Sequence, residues 1–219
     1  MTPARRAGWA CAGLTLAFLI ETLLVVFRST RITDLEAAAL FDRIWNPAVG
    51  VAAQVVAVAG GVELVTLVAI ALFAYLRRVG FRAESWALLA YPLAMALETL
   101  YKRTLFQPPP TAYAHPDGPS VTGLLHVESL AANTFPSGHV MRTVLVYGLL
   151  AFVVHRLAPA GRLRSIAVPA AALLIVAMAV DRLYLDVHWQ SDVVGGLLFG
   201  GLALAAAIAW MEAPWRPSP

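Results

Sequence analysis

The chain has 219 residues, of which 60% are hydrophobic and 13% are charged, and its mean hydropathy is +0.73. This composition excludes a soluble globular domain and predicts an integral membrane protein. The net charge of +3 comes from arginines beside apolar segments, so the sequence predicts no nucleic-acid partner. The single cysteine, Cys11, excludes an intramolecular disulfide.

Several apolar segments are long enough to cross the ~30 Å hydrocarbon core of a bilayer, which takes about 20 helical residues. The first segment is followed by no small-residue cleavage site, so we expect it to stay in the protein. The sequence predicts an all-α, six-span helical bundle that forms one membrane-embedded domain over residues 1–219. The spans are predicted at about Gly8–Phe27, Gly60–Leu76, Glu84–Tyr101, Ser137–His155, Leu163–Val180 and Ser191–Met211.

Two shorter segments lie between the first two spans. Apolar and charged residues recur together over Ile32–Trp45, which predicts an amphipathic helix lying on the membrane surface. The apolar stretch Pro47–Ala59 is too short to span alone. We predict that it inserts partially and joins the second span through Gly60 and Gly61.

The last span carries small residues on one face. Gly196 and Gly200 are four residues apart, with Gly195 and Gly201 beside them. Such a face lets another helix approach closely, so we predict that it serves packing and has no chemical role.

Basic residues in short loops mark the cytoplasmic side of membrane helices. The larger group flanks the spans on the side of the N-terminus: Arg5, Arg6, Arg77, Arg78, Arg82, Arg156, Arg162, Arg164 and Arg216. The opposite flanks carry the smaller group: Arg28, Arg31, Arg43, Lys102, Arg103 and Arg182. We therefore expect a multi-pass protein of the cell membrane with cytoplasmic termini, and with Lys102 and Arg182 at its extracytoplasmic face.

The only long polar connection is Gln107–Phe135, between the third and fourth predicted spans. It is predicted to be a loop with at most one short amphipathic helix near Val121–Leu130. Its histidines and acidic residues have an irregular spacing that predicts no metal site: His115, Asp117, His126 and Glu128.

The string Pro136-Ser137-Gly138-His139 stands at the start of the fourth span. Pro136 suits the first turn of a helix, and Thr134 or Asn133 can cap that helix. The free N–H groups of such a turn predict an anion site. Gly138 lets an anion approach the backbone, Ser137 offers a hydroxyl, and the ring of His139 lies within reach.

A second group of polar residues lies between the fifth and sixth spans. His188 and Asp192 are four residues apart, which puts both on one face of a helix. A carboxylate bonded to one ring nitrogen raises the basicity of the other, which makes His188 a candidate nucleophile. Arg182 offers a planar fork for phosphate oxygens, and Lys102 closes the third span.

These residues resemble the signature of the type-2 phosphatidic acid phosphatase superfamily, which contains membrane lipid phosphate phosphatases. That signature has three parts: Lys, six residues, Arg-Pro; then Pro-Ser-Gly-His; then Ser-Arg, five residues, His, three residues, Asp. The second part is complete here, and the third matches at Arg182, His188 and Asp192, with Asp181 where serine is usual. The first part keeps Lys102 but has Pro109 at the arginine position.

The resemblance implies that His188 attacks phosphorus, that Asp192 orients it, and that His139 protonates the leaving oxygen. His139 then deprotonates the water that releases phosphate from the phosphohistidine. The resemblance also implies that no cofactor and no metal is needed. The residues that it assigns to phosphate binding are Lys102, Arg182, Ser137 and the amide of Gly138.

Arg142 is a candidate replacement for the arginine missing at Pro109. It lies three residues after His139 on the same helical face, and an arginine inside a membrane needs a polar partner. We predict that it binds phosphate. Two other roles stay open: an ion pair with Glu21, Glu63 or Glu98, and a side chain that extends to the membrane surface.

The sequence therefore predicts an enzyme that hydrolyses a phosphomonoester or diphosphate on an amphiphilic membrane lipid at the extracytoplasmic face. By family analogy the first choice of substrate is a polyprenyl phosphate or diphosphate, followed by phosphatidate and phosphatidylglycerophosphate. Two alternatives stay open: a phosphotransferase that passes the group to another lipid or sugar, and a non-catalytic protein that binds or moves lipid phosphates. The sequence indicates neither an oligomeric state nor a role for Asp186.

Overall fold

The computed structural model describes residues 3–110 and 133–213. Within these ranges all regular structure is helical, which agrees with the predicted all-α class. The predicted helix at Val121–Leu130 and the polar residues from His115 to Glu128 lie outside the described residues. The elements are α1 (Pro3–Val26), α2 (Arg31–Arg43), α3 (Pro47–Gly60), α4 (Val62–Arg78), a 3₁₀ segment (Glu84–Leu89), α5 (Ala90–Thr104), α6 (Gly138–Leu157), α7 (Arg162–Tyr184) and α8 (Gln190–Met211).

Five helical stretches in the described ranges are long and apolar enough to cross a membrane, where the sequence predicted six. They are Gly8–Val26, Pro47–Arg78, Gly138–Leu157, Arg162–Tyr184 and Gln190–Met211. The third predicted span, Glu84–Tyr101, instead divides into the 3₁₀ segment and the 15-residue α5. An α-helix that ran through from Glu84 would hold Pro92 in its interior, where proline lacks an N–H and clashes with the carbonyl of Leu88.

The region between α1 and α4 has the helices that the sequence predicted. The predicted amphipathic segment forms α2, and the short apolar stretch forms α3. Asn46 caps α3 by accepting a 2.9 Å hydrogen bond from the Ala48 amide, and Pro47 takes the first helical position. Gly61 has extended backbone angles (φ −62°, ψ 150°), so the chain changes direction there before α4.

Helices α6 and α8 pack with their backbones in contact. A Cβ atom on Gly196 would lie 2.7 Å from the carbonyl oxygen of Ser137, and one on Gly200 would lie 2.7 Å from that of Met141. Only glycine permits such an approach, and the small-residue face therefore has the packing role predicted for it. This contact holds the first turns of α6 beside α8.

A cluster of aromatic rings joins α1 to this pair of helices. Phe18 of α1 stacks on Phe199 of α8 with 5.1 Å between ring centroids, and on Phe135 with 5.9 Å. Phe135 is fully buried, and it immediately precedes the Pro136–His139 string. The cluster therefore fixes the chain just before that string.

The packing of α6 on α8 makes a prediction about stability. Gly200→Ala should lower the thermal unfolding temperature in detergent, because the new Cβ would overlap the backbone of Met141 and overpacking typically costs about 1–3 kcal/mol. Gly201→Ala is the matched control, since its Cβ would lie 3.6 Å from Leu14 in ordinary contact. Equal unfolding temperatures for the two variants would contradict this account of the packing.

Candidate active site

His188 and Asp192 form the hydrogen-bonded pair that their spacing predicts. The Nδ1 atom of His188 lies 3.2 Å from the Oδ2 atom of Asp192. The same Oδ2 accepts a 2.9 Å hydrogen bond from the amide of Trp189, the residue that caps α8. Asp192 thus closes the first turn of α8 and holds the histidine ring at once. Because an ionised carboxylate only accepts, Nδ1 carries the proton and Nε2 keeps its lone pair.

The start of α8 is anchored by a second carboxylate, from α2. Asp34 accepts hydrogen bonds from the amide of Ser191 at 2.8 Å and from its hydroxyl at 3.0 Å. Burial raises the pKa of Asp34 despite these hydrogen bonds, which act in the opposite direction. Sequence spacing gives no sign of this contact, because Asp34 and Ser191 are 157 residues apart along the chain.

The Pro136–His139 string meets the start of α8 through its backbone. The amide of Ser137 donates a 2.9 Å hydrogen bond to the carbonyl of Asp192. The hydroxyl oxygen of Ser137 is buried and has no hydrogen-bond partner among the described residues. A buried hydroxyl without a partner is costly unless a ligand or water supplies one, so its placement fits the anion site predicted here.

The predicted capping of this helix is wrong. Helix α6 begins at Gly138 with Ser137 at the cap position, and Pro136 lies outside it. Thr134 and Asn133 instead bond to the chain that follows α5: the Thr134 hydroxyl donates to the carbonyl of Gln107 at 3.0 Å. Asn133 likewise accepts from the Gln107 amide at 2.9 Å. These side chains join the segment before α6 to the segment after α5. Sequence spacing gives no sign that Gln107 is their partner.

Arg142 points toward the histidine of the same helix. Its Nη2 atom lies 3.4 Å from Nδ1 of His139, and its Nε donates to the carbonyl of Gly60 at 3.1 Å. Its Nη1 lies 3.3 Å from Oε2 of Glu98, so the ion pair with Glu98 is present as well. The side chain is buried, with 6% of its surface exposed, and it does not extend to the surface.

Helix α5 brings Lys102 to the same place. Its ammonium lies 2.8 Å from Oε1 of Glu98, one turn earlier on α5, and its carbonyl accepts from the Asn133 side chain at 2.9 Å. Glu98 therefore contacts both Lys102 and Arg142.

Arg182 is fully buried near the end of α7. Its Nε donates to Oδ2 of Asp181 at 2.9 Å, so the aspartate at the usual serine position pairs with the neighbouring arginine. Asp186, which follows α7, is buried and has a positive φ of 51°. The chain turns sharply there and brings His188 back toward α6.

The predicted site residues converge on one another. His188, Arg182, Arg142 and Lys102 all lie close enough to His139 to interact with it electrostatically. Burial lowers the pKa of His188 from its ordinary value of 6.5, an effect that the neighbouring Asp192 opposes and that Lys102 and Arg182 reinforce. His188 is therefore neutral at pH 7, the form in which a ring nitrogen can attack phosphorus.

Within residues 3–110 and 133–213, no group of three or more His, Cys, Asp or Glu side chains is arranged to hold a metal ion.

The family of the protein follows from a comparison with known proteins. The model of the PAP2 superfamily matches residues 83–216, which include all three of the motif segments described above. The chain belongs to the PAP2 superfamily, the type-2 phosphatidic acid phosphatases that its three motifs resemble.

Two relatives from Bacillus subtilis are similar to this chain. Phosphatidylglycerophosphatase B from strain 168 is 34% identical over 83 residues, which cover 37% of this chain and 39% of that protein. The second is the crystal structure of a transmembrane PAP2-type phosphatidylglycerolphosphate phosphatase. It superposes with a TM-score of 0.80 over 95% of this chain and 98% of that one, at 21% identity. At that identity the superposition shows a shared fold, that of a multi-pass membrane protein.

Proposed function

We propose that the protein is a lipid phosphatase that hydrolyses a phosphomonoester or diphosphate on a membrane lipid through a phosphohistidine. The observation that carries this proposal is the His188–Asp192 pair, with its Nδ1–Oδ2 distance of 3.2 Å, beside His139, the buried cations Arg142 and Arg182, and the partly exposed Lys102. Family membership supports the same reaction class. Phosphoryl transfer depends mainly on positioning and on stabilising charge, and this site has groups for both.

The proposed reaction has two steps. In the first, Nε2 of His188 bonds to phosphorus, the bond from phosphorus to the lipid oxygen breaks, and the protonated ring of His139 gives its proton to that oxygen. In the second, His139 takes a proton from water, the water oxygen attacks phosphorus, and the bond to His188 breaks. Phosphate leaves and both histidines return to their starting state.

The equatorial oxygens need positive charge and hydrogen-bond donors during both steps. We assign this role to Lys102, Arg182, the Ser137 hydroxyl and the Gly138 amide. Arg142 is proposed as the third cation, in place of the arginine missing at Pro109. Its guanidinium supports this role because Nη2 approaches His139 to 3.4 Å.

The substrate is proposed from the comparisons. A lipid phosphate suits a site between helices, because its tail can stay in the bilayer. The likeness to a phosphatidylglycerophosphatase makes phosphatidylglycerophosphate our leading candidate, ahead of the polyprenyl diphosphate that family analogy favoured.

The proposed topology has six crossings and an extracytoplasmic site. The 3₁₀ segment and α5 together hold 21 residues between Glu84 and Thr104. At about 2.0 Å per residue for 3₁₀ and 1.5 Å for α-helix, this length exceeds the ~30 Å of a bilayer core. We propose that the pair forms the third span and that α2 lies at the extracytoplasmic surface beside the site. The bias of basic residues supports cytoplasmic termini.

The first prediction for this function concerns substrate and metal. Purified protein in detergent should release phosphate from phosphatidylglycerophosphate, with polyprenyl diphosphate and phosphatidate as comparison substrates, and EDTA should leave the rate unchanged because the proposed steps use only protein side chains. Phosphate release and the lipid product are both measured, so transfer to another lipid or a sugar would be detected. A rate lost in EDTA and restored by magnesium would contradict the mechanism.

A second prediction concerns the histidines. His188→Ala and His139→Ala should each abolish turnover, since one forms the covalent bond and the other moves the proton. Asp192→Asn should keep a small residual rate, because it removes orientation and charge but leaves the nucleophile. Rapid quenching with ³²P-labelled lipid should trap labelled wild-type protein. Near-normal phosphate release by His188→Ala would overturn the covalent mechanism.

A third prediction concerns pH. Attack needs neutral His188, and its pKa is lowered from 6.5, so the acid limb of kcat/KM, along which this ring becomes protonated, should lie below pH 6.5. Asp192→Asn removes the charge that favours the protonated ring, and the acid limb should therefore move to lower pH. The measurement is kcat/KM over about pH 4 to 8. An acid limb above pH 6.5, or one moved upward by Asp192→Asn, would contradict this assignment.

A further inference from the structure

Glu98 is a buried carboxylate that contacts two of the proposed phosphate-binding cations. Its Oε1 lies 2.8 Å from the ammonium of Lys102, and its Oε2 lies 3.3 Å from Nη1 of Arg142. Only 5% of the residue is exposed. The signature of the family, as given above, contains no residue in this role.

The carboxylate of Glu98 also rests against the backbone of the second motif. A Cβ atom on Gly138 would collide with this carboxylate and would lie 2.7 Å from Nη1 of Arg142. Glycine at this position therefore makes room for the ion pair. The geometry ties Glu98 to the same turn whose amide and hydroxyl are proposed to bind phosphate.

Stability alone does not account for this arrangement. Removing charges from water is expensive, and a buried ion pair is often no more stabilising than apolar residues of the same volume. Ionisable groups at membrane depth generally serve function. The Nε atom of Arg142 also donates a hydrogen bond to the Gly60 carbonyl, and this second contact fixes the orientation of the guanidinium. Two cations are thus held still before any phosphate arrives.

Building on the proposed function, we propose that Glu98 is a positioning residue: a shared counter-ion that fixes Lys102 and Arg142 at the phosphate site and weakens their hold on the phosphate product. The first effect serves turnover, because the transition state demands exact placement of charge. The second follows from Coulomb repulsion between the carboxylate and a phosphate dianion bound by the same two cations.

These two effects separate in one variant. Glu98→Gln removes the negative charge. It also places an amide nitrogen beside one of the two cations, and this nitrogen is a donor that cannot accept a hydrogen bond from the cation. Turnover of the lipid phosphate should fall about a hundredfold. Inorganic phosphate, titrated by calorimetry, should bind roughly tenfold more tightly, because the repulsion is gone. Glu98→Asp keeps the charge and should restore the wild-type phosphate affinity and most of the turnover.

Glu84→Gln is the matched control. Glu84 is also a buried carboxylate, at the opposite end of the same 3₁₀–α5 segment, and its replacement should leave turnover and phosphate affinity unchanged. The unfolding temperature of each variant is measured in the same detergent. In an Arg142→Leu background, Glu98→Gln should lower turnover by a smaller factor, since one of its two partners is already absent.

Two outcomes would overturn the proposal. One is weaker phosphate binding by Glu98→Gln together with a lower unfolding temperature, which is the result expected if Glu98 has only a structural role. The other is turnover within twofold of wild type. If the wild-type protein hydrolyses none of the lipid phosphates, the proposed function fails, but phosphate titration of the Glu98 and Arg142 variants still decides the role of Glu98.

Discussion

The site depends on the close contact between the first turn of α6 and the first turns of α8. The Ser137 amide donates to the carbonyl of Asp192 at 2.9 Å, and Gly196 lets the two backbones touch. This contact joins the segment with the proposed acid–base histidine to the segment with the proposed nucleophile. Backbone contacts thus set the relative position of the two segments, and the side chain of Asp192 then orients the ring of His188.

Each cation of the site contacts a carboxylate, and so does His188. Lys102 and Arg142 share Glu98, Arg182 bonds to Asp181, and His188 bonds to Asp192. The two departures from the family signature act in the same direction, because each makes the site less positive. Pro109 removes a cation that Arg142 is proposed to replace, and Asp181 adds an anion beside Arg182. A membrane enzyme gains from such pairing, because an unpaired charge at this depth is costly before substrate arrives.

Sequence reasoning succeeded where the signal was local. The spacing of His188 and Asp192 predicted their contact, and the glycines of α8 predicted close packing. It failed where the deciding partner was distant or the backbone geometry was irregular. Thr134 was assigned to a helix cap but bonds to Gln107, and Glu84–Tyr101 was assigned to one helix although Pro92 favours a division. Asp34 was missed because the Ser191 groups that it binds belong to a remote helix.

Composition and motif spacing by themselves determined that this is an all-helical membrane protein with two histidines, an arginine and an aspartate available for phosphoryl chemistry. Hydropathy and helical periodicity are properties of short segments, so both can be recognised in a single sequence. Only the tertiary structure decided that Arg142 turns toward His139 and that Glu98 lies between two cations. Those contacts join α3, α5 and α6, and the direction of a buried charged side chain depends on which partners the folded helices bring within reach.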